Sequence, residues 1–119
     1  MLKTLRTPKT EKIYEEFKKE NPDHCPFCSK DLLIQDSFVV EKGFIDGWIL
    51  LKNRFPYDRM YVKNDMLAPA EHVKKLNEKK EKEFKLLLDH LQDHYHQVLW
   101  NVPYRQSIPH FHIHLVRFE

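Results

Sequence analysis

The spacing of apolar positions changes along the chain, and each change predicts an element. Thr7-Pro8 reads as a helix start, with the hydroxyl free to cap and proline at the first helical position. Ile13, Tyr14 and Phe17 then give one apolar face, and Asn21-Pro22 stops the helix, because the residue before proline is pushed out of helical geometry. Ser37 to Ile45 and Trp48 to Asn53 are rich in Val, Ile, Phe and Trp around Asp46-Gly47, the pattern of a two-stranded antiparallel hairpin. Met60 to Ala68 offers a third strand, interrupted by Lys63-Asn64-Asp65. From Asn77 to about Leu99 the spacing becomes helical, through Phe84, Leu87, Leu88, Leu91, Tyr95, Val98 and Leu99, and Asn101-Val102-Pro103 closes this longest element.

The last pattern is strict alternation: His110-Phe111-His112-Ile113-His114-Leu115-Val116. Successive side chains of a strand point to opposite faces, so the three histidines share one face at a spacing of roughly 6.5–7 Å. Phe111, Ile113 and Leu115 anchor them from beneath. A polar strand face that merely uses histidine is the plain alternative. Imidazole, however, can ligate a metal, exchange protons near neutrality or attack phosphorus, and three in a row point to that chemistry.

Composition narrows the function. A chain of 119 residues is expected to be one domain with a modest core, and a formal charge of +2 gives no global basic field for wrapping nucleic acid. An anionic small molecule suits it better. No apolar run approaches the roughly 18 residues of a membrane span, and the Met1 to Arg6 start lacks the apolar segment of a secretory signal, so a cytoplasmic protein is expected.

The 2 cysteines, Cys25 and Cys28, are two residues apart in an expected loop or turn, Cys25-Pro26-Phe27-Cys28. That spacing suits a metal or a redox pair. The preceding charged helix and Asn-Pro break favour the metal, since redox pairs of this kind open a helix after a buried strand. Tetrahedral zinc would then draw its other ligands from the 8 histidines. His90 and His94 are spaced to grip a metal, but Asp89, Gln92 and Asp93 around them read as a solvated helix face.

The run from His110 to Val116 resembles the motif of the histidine triad family of nucleotide hydrolases and transferases. Gln106-Ser107-Ile108 resembles the family's Gln-Ser-Val before the triad, and Pro69-Ala70-Glu71-His72-Val73 its Pro-Lys-x-His-Val after the third strand. Asn53-Arg54-Phe55-Pro56 is similar to the turn that faces the nucleotide ribose. The likeness covers roughly residues 25 to 117. It implies an α+β fold: an antiparallel sheet of four to five strands, one long helix packed across it and a short N-terminal helix. Residues 1–24 would form that helix and a linker, and residues 25–119 the family domain.

Carried over position by position, the resemblance implies a structural zinc on Cys25, Cys28, His72 and His110, as in the family's zinc-bearing branch and the galactose-1-phosphate uridylyltransferases. It implies His112 as the nucleophile attacking an α-phosphorus, with His114 and Ser107 binding phosphate oxygens and delivering a proton. Nucleotide contacts are implied at Phe27, Leu51, Asn53, Asn101 and Arg105, and pairing into a homodimer is expected. The transferase relatives carry glutamine where this chain has His114, which favours hydrolysis. Asn101 to Arg105 departs from the family pattern, being short and without glycine, so a reduced or absent fourth strand is expected there and Arg105 would stand in for backbone amides at phosphate. Three readings compete: the hydrolase, a nucleotide-binding or interaction module that has lost turnover, and a zinc-stabilised adaptor that binds no nucleotide. A nucleic-acid substrate lacks the extra basic and aromatic surface it would need.

Overall fold

The computed structural model describes residues 4–34, 46–101 and 108–118. Among the described residues the chain is α+β, with one open antiparallel sheet of four strands and a long helix packed across one face. Helix α1 (Pro8–Glu20) begins where the capping signal places it, with the Thr7 hydroxyl accepting from the Thr10 N–H, and ends at Asn21. It buries Tyr14, half-buries Phe17 and leaves Ile13 exposed, so the apolar face is narrower than its sequence pattern. The loop expected around the cysteines winds into one helical turn, α2 (Pro26–Ser29), ended by Lys30 in the left-handed conformation at φ 54°.

Strand β1 (Trp48–Lys52) follows Gly47, whose φ of 82° suits glycine at this turn. The other half of the expected hairpin, from 37 to 45, lies outside the described residues. Earlier in the chain, Leu33 bridges Leu51 while the Ile34 N–H donates to the Leu50 carbonyl. Strand β2 (Lys63–Pro69) starts three residues later than the expected Met60. Lys63-Asn64-Asp65 does not interrupt it but forms its first half, with Asn64 and Asp65 buried. Their polar groups are satisfied inside the protein, which lets a polar pair occupy a central strand.

Helix α3 (Glu78–Leu91) is shorter than the expected run to Leu99. A 3-10 turn (Gln92–His94) ends it, and Val98 and Leu99 belong to a short edge strand, β3 (Gln97–Leu99). Capture by the sheet explains the difference: the His96 N–H donates to the Val116 carbonyl, Arg117 Nη1 donates to the His94 carbonyl, and the Tyr95 hydroxyl donates to Asp65. Most of Asn101 to Arg105, where a reduced or absent fourth strand is expected, lies outside the described residues, and β3 precedes that stretch. Strand β4 (Ile113–Arg117) lies between β2 and β3, giving the order β1-β2-β4-β3.

The sheet has two apolar faces. Trp48, Leu50, Leu67, Ile113 and Leu115 meet Leu87 and Leu91 of α3 on one side. Ile49, Leu51, Met66 and Ala68 meet Phe27 of α2 on the other. The register Met66↔His114 puts His114 on this second face, away from the long helix.

Candidate functional site

Only His114 of the three histidines lies within β4; His110 and His112 precede it. The alternation expected to form one strand breaks because 110–112 is tied to the last residue of β2 and the loop after it instead of extending the β2–β4 ladder. The Phe111 N–H donates to the Val73 carbonyl at 2.6 Å, and His110 Nε2 donates to the Pro69 carbonyl at 2.6 Å. All three histidines are nonetheless buried side by side, with the His112 and His114 rings 5.3 Å apart. Phe27, wholly buried, packs on the rings of His110 and His112 at 5.0 and 5.1 Å.

The Val73–Phe111 bond also sets His72 against His110, and α2 delivers the two cysteines to the same spot. Cys25, Cys28, His72 and His110 have ligand atoms that all lie within 4.8 Å of one another, a group able to hold a metal ion such as zinc. Cys25 Sγ is 3.5 Å and Cys28 Sγ 3.9 Å from His110 Nδ1. Cys28 Sγ is 3.2 Å and His110 Nδ1 3.1 Å from His72 Nδ1. Tetrahedral zinc, with bonds of about 2.3 Å to sulfur and about 2.0–2.1 Å to nitrogen, separates its ligand atoms by roughly 3.3–3.8 Å. The donor set therefore fits with small adjustments. The bond to the Pro69 carbonyl keeps hydrogen on His110 Nε2 and leaves Nδ1 as the lone-pair nitrogen facing the cysteines. Burial raises the Cys25 thiol pKa in the metal-free protein, so a cation is what would favour its thiolate.

His112 is aimed the other way. Its Nδ1–H donates to the His110 carbonyl at 2.7 Å, which leaves Nε2 with the lone pair. Burial lowers its pKa, so the ring is neutral at physiological pH. His114 is held still further below its ordinary value, first by burial and then by His112 and Arg6. Asn64 fixes its tautomer. The Asn64 Oδ1 accepts from the Tyr57 N–H and from Asn53 Nδ2, both at 2.9 Å, so its Nδ2 faces His114 Nδ1 at 3.1 Å. The hydrogen of the neutral His114 ring therefore sits on Nε2, 3.2 Å from the Tyr57 hydroxyl oxygen, which also accepts from Asn101 Nδ2 at 2.9 Å.

His112 and His114 line a cavity of about 470 Å³ together with Leu51, Asn53, Asn101 and Ile108. Leu51 and Asn101, two of the expected contact residues, thus lie on its wall. Asn53 also lines the cavity, but both ends of its amide are used internally, Nδ2 on Asn64 and Oδ1 by the Phe55 N–H. Phe27 does not reach the cavity; it supports the histidines from behind. Ser107 and Arg105 lie outside the described residues. Pattern reading missed Tyr57 and Asn64, and it missed the far wall, where Tyr14 and Phe17 of α1 meet Phe55 at 5.1 Å each. Three consecutive polar residues, Lys63-Asn64-Asp65, at the start of an otherwise apolar strand were the available signal for Asn64. None of the described helices is long and apolar enough to cross a membrane.

No protein-family model and no curated protein matches this chain.

Proposed function

We propose that this chain is a zinc-stabilised nucleotide hydrolase of the histidine triad type, with His112 as its nucleophile. The presentation of His112 carries the reading: a buried, neutral imidazole whose Nδ1–H is committed to the His110 carbonyl holds its Nε2 lone pair ready beside a cavity of nucleotide size. In the first step Nε2 attacks the α-phosphorus. An N–P bond forms while the bond to the leaving group breaks, its electron pair departing opposite the imidazole. Water then attacks the same phosphorus, the N–P bond breaks with its electron pair returning to Nε2 of neutral His112, and the proton lost by the water goes through solvent to the departed leaving group.

His114 acts in this scheme as a hydrogen-bond donor once substrate draws its Nε2–H from the Tyr57 hydroxyl to a developing phosphoryl charge, because its depressed pKa keeps it from serving as a store of protons. Asn101 adds a second donor at the same wall. Cys25, Cys28, His72 and His110 would hold the zinc, and four protein ligands leave no position for a reacting water. When bound, the metal would tie three chain segments together and fix the carbonyl that aims His112.

Mass-spectrometric assay of the purified protein against nucleoside phosphoramidates, dinucleoside polyphosphates and nucleotide sugars tests the reading, with His112→Ala beside it. Release of nucleoside monophosphate by the wild type alone is expected. Nucleotide binding without release, by a zinc-loaded and folded protein, would replace the hydrolase with a binding module.

A further inference from the structure

The likeness to the triad family starts at Cys25, yet one wall of the cavity is built by residues ahead of it. The segment is firmly docked. Asp58 accepts from the Thr7 N–H at 2.8 Å and the Thr10 hydroxyl at 2.5 Å, and the Arg59 N–H donates to the Leu5 carbonyl at 2.9 Å. Docking carries Arg6 into the wall. Its guanidinium carbon lies 4.1 Å from the centroid of the Tyr14 ring and 4.9 Å from that of Tyr57, and Nε donates to the Phe55 carbonyl at 2.6 Å.

Arg6 differs from the other cations of this wall in burial. Its side chain is 12% exposed, against 38% for Lys18 and 52% for Arg54. The opposing charge is loose: Glu11 Oε2 is 3.4 Å from Nη1 and also accepts from the Thr4 hydroxyl. Among the described residues, Nη2 meets no acceptor. A cation stripped of most of its water and half-neutralised in this way is costly, and an incoming anion on its free edge offsets the cost. Guanidinium N–H groups in one plane match phosphate oxygens two at a time. Tyr57 connects this cation to the chemistry, since the ring that stacks on Arg6 also packs on His114 at 4.4 Å and carries the hydroxyl that accepts from it.

We propose that Arg6 is a specificity-determining residue that binds a second phosphate of the substrate, next to the one presented to His112, so that the N-terminal segment selects substrates with an anionic leaving group. The proposal rests on the nucleotide reading above for the identity of the first phosphate. Glu11 is its counterweight: it holds Arg6 in place without ligand and competes with the anion when ligand binds.

Calorimetric titration of the zinc-loaded protein with inorganic pyrophosphate and with orthophosphate tests it. Wild type should prefer pyrophosphate. Arg6→Gln should weaken pyrophosphate at least 10-fold and collapse that preference, Arg6→Lys should restore part of it, and Glu11→Gln should tighten pyrophosphate several-fold. A merely structural role would weaken both anions alike and would leave Glu11→Gln without gain. Failure of wild type to bind pyrophosphate, or equal affinity in folded Arg6→Gln, overturns the proposal. If Arg6→Gln does not fold, unchanged affinity in Glu11→Gln overturns it instead. Turnover of nucleotides with no effect of Arg6 removes this inference alone, whereas Arg6-dependent pyrophosphate binding without any turnover removes the hydrolase and leaves the anion site standing.

Discussion

The carbonyl of His110 accepts the Nδ1–H of His112 at 2.7 Å, so one residue contributes an imidazole to the cysteine cluster and its backbone to the orientation of the neighbouring ring. The candidate metal ligands and the proposed nucleophile are coupled through this single peptide. Chelation should therefore lower kcat even though no step passes through the metal. Activity assayed before and after chelation, then after adding zinc or cadmium, should fall and recover with either ion; an ion acting as a Lewis acid would instead give a rate that changes strongly with the metal's identity.

Metal analysis should give about one zinc per chain, the count a four-ligand site implies. Cys25→Ser should lose most of that zinc and lower Tm by about 10 °C or more, because the ligands converge only in the folded chain and binding energy is folding energy. Full zinc content in the variant, measured by atomic emission, would remove the assignment.

Asn64 joins Asn53, Tyr57 and His114 from inside a strand. Asn64→Leu keeps the branched outline of the side chain but strips partners from three buried groups, each worth about 1–3 kcal/mol when left unsatisfied. Urea unfolding should show a loss of at least about 3 kcal/mol, while Tyr57→Phe, which removes one hydroxyl, should cost about 1 kcal/mol. Equal effects of the two would mean that the Asn64 contacts do not act as a network.

The depressed pKa of His114 links stability to pH. The unfolded chain takes up a proton near the ordinary imidazole value of 6.5, while the folded chain resists it. This stability is present in full above that value and declines as pH falls from it through the lower folded value, with a slope of up to about 1.4 kcal/mol per pH unit. Thermal unfolding followed from pH 8 to pH 5 should show a smaller decline for His114→Gln than for wild type. Parallel curves would show that His114 does not carry the effect.

Much of this arrangement was legible in residue order, and the exceptions have physical causes. Thr7-Pro8 and Asn21-Pro22 bounded α1 because capping and proline sterics are local. The cysteine pair and His72 came together as the resemblance implied, although only the backbone bond from Phe111 to Val73 accounts for how His72 meets His110. The end of α3 was misread because Tyr95, Val98 and Leu99 keep helical spacing while the edge of β4 offers their backbone better partners. Arg6 could not be read at all as a cavity residue, nor Phe55 as the residue that it meets. Their meeting depends on how Asp58 receives Thr7 and Thr10 across the fold, a long-range contact that no local pattern encodes.

The most direct test of the account is to stop the reaction during turnover and look for the nucleotidyl group on His112. An alkaline quench preserves a bond between phosphorus and histidine nitrogen, and peptide mass spectrometry then locates it. The account predicts one nucleotidyl group on the peptide carrying His112 in the wild type and none in His112→Ala, which should also lose turnover. Sustained nucleotide hydrolysis by His112→Ala, or a nucleotidyl group carried on a different residue, would contradict it.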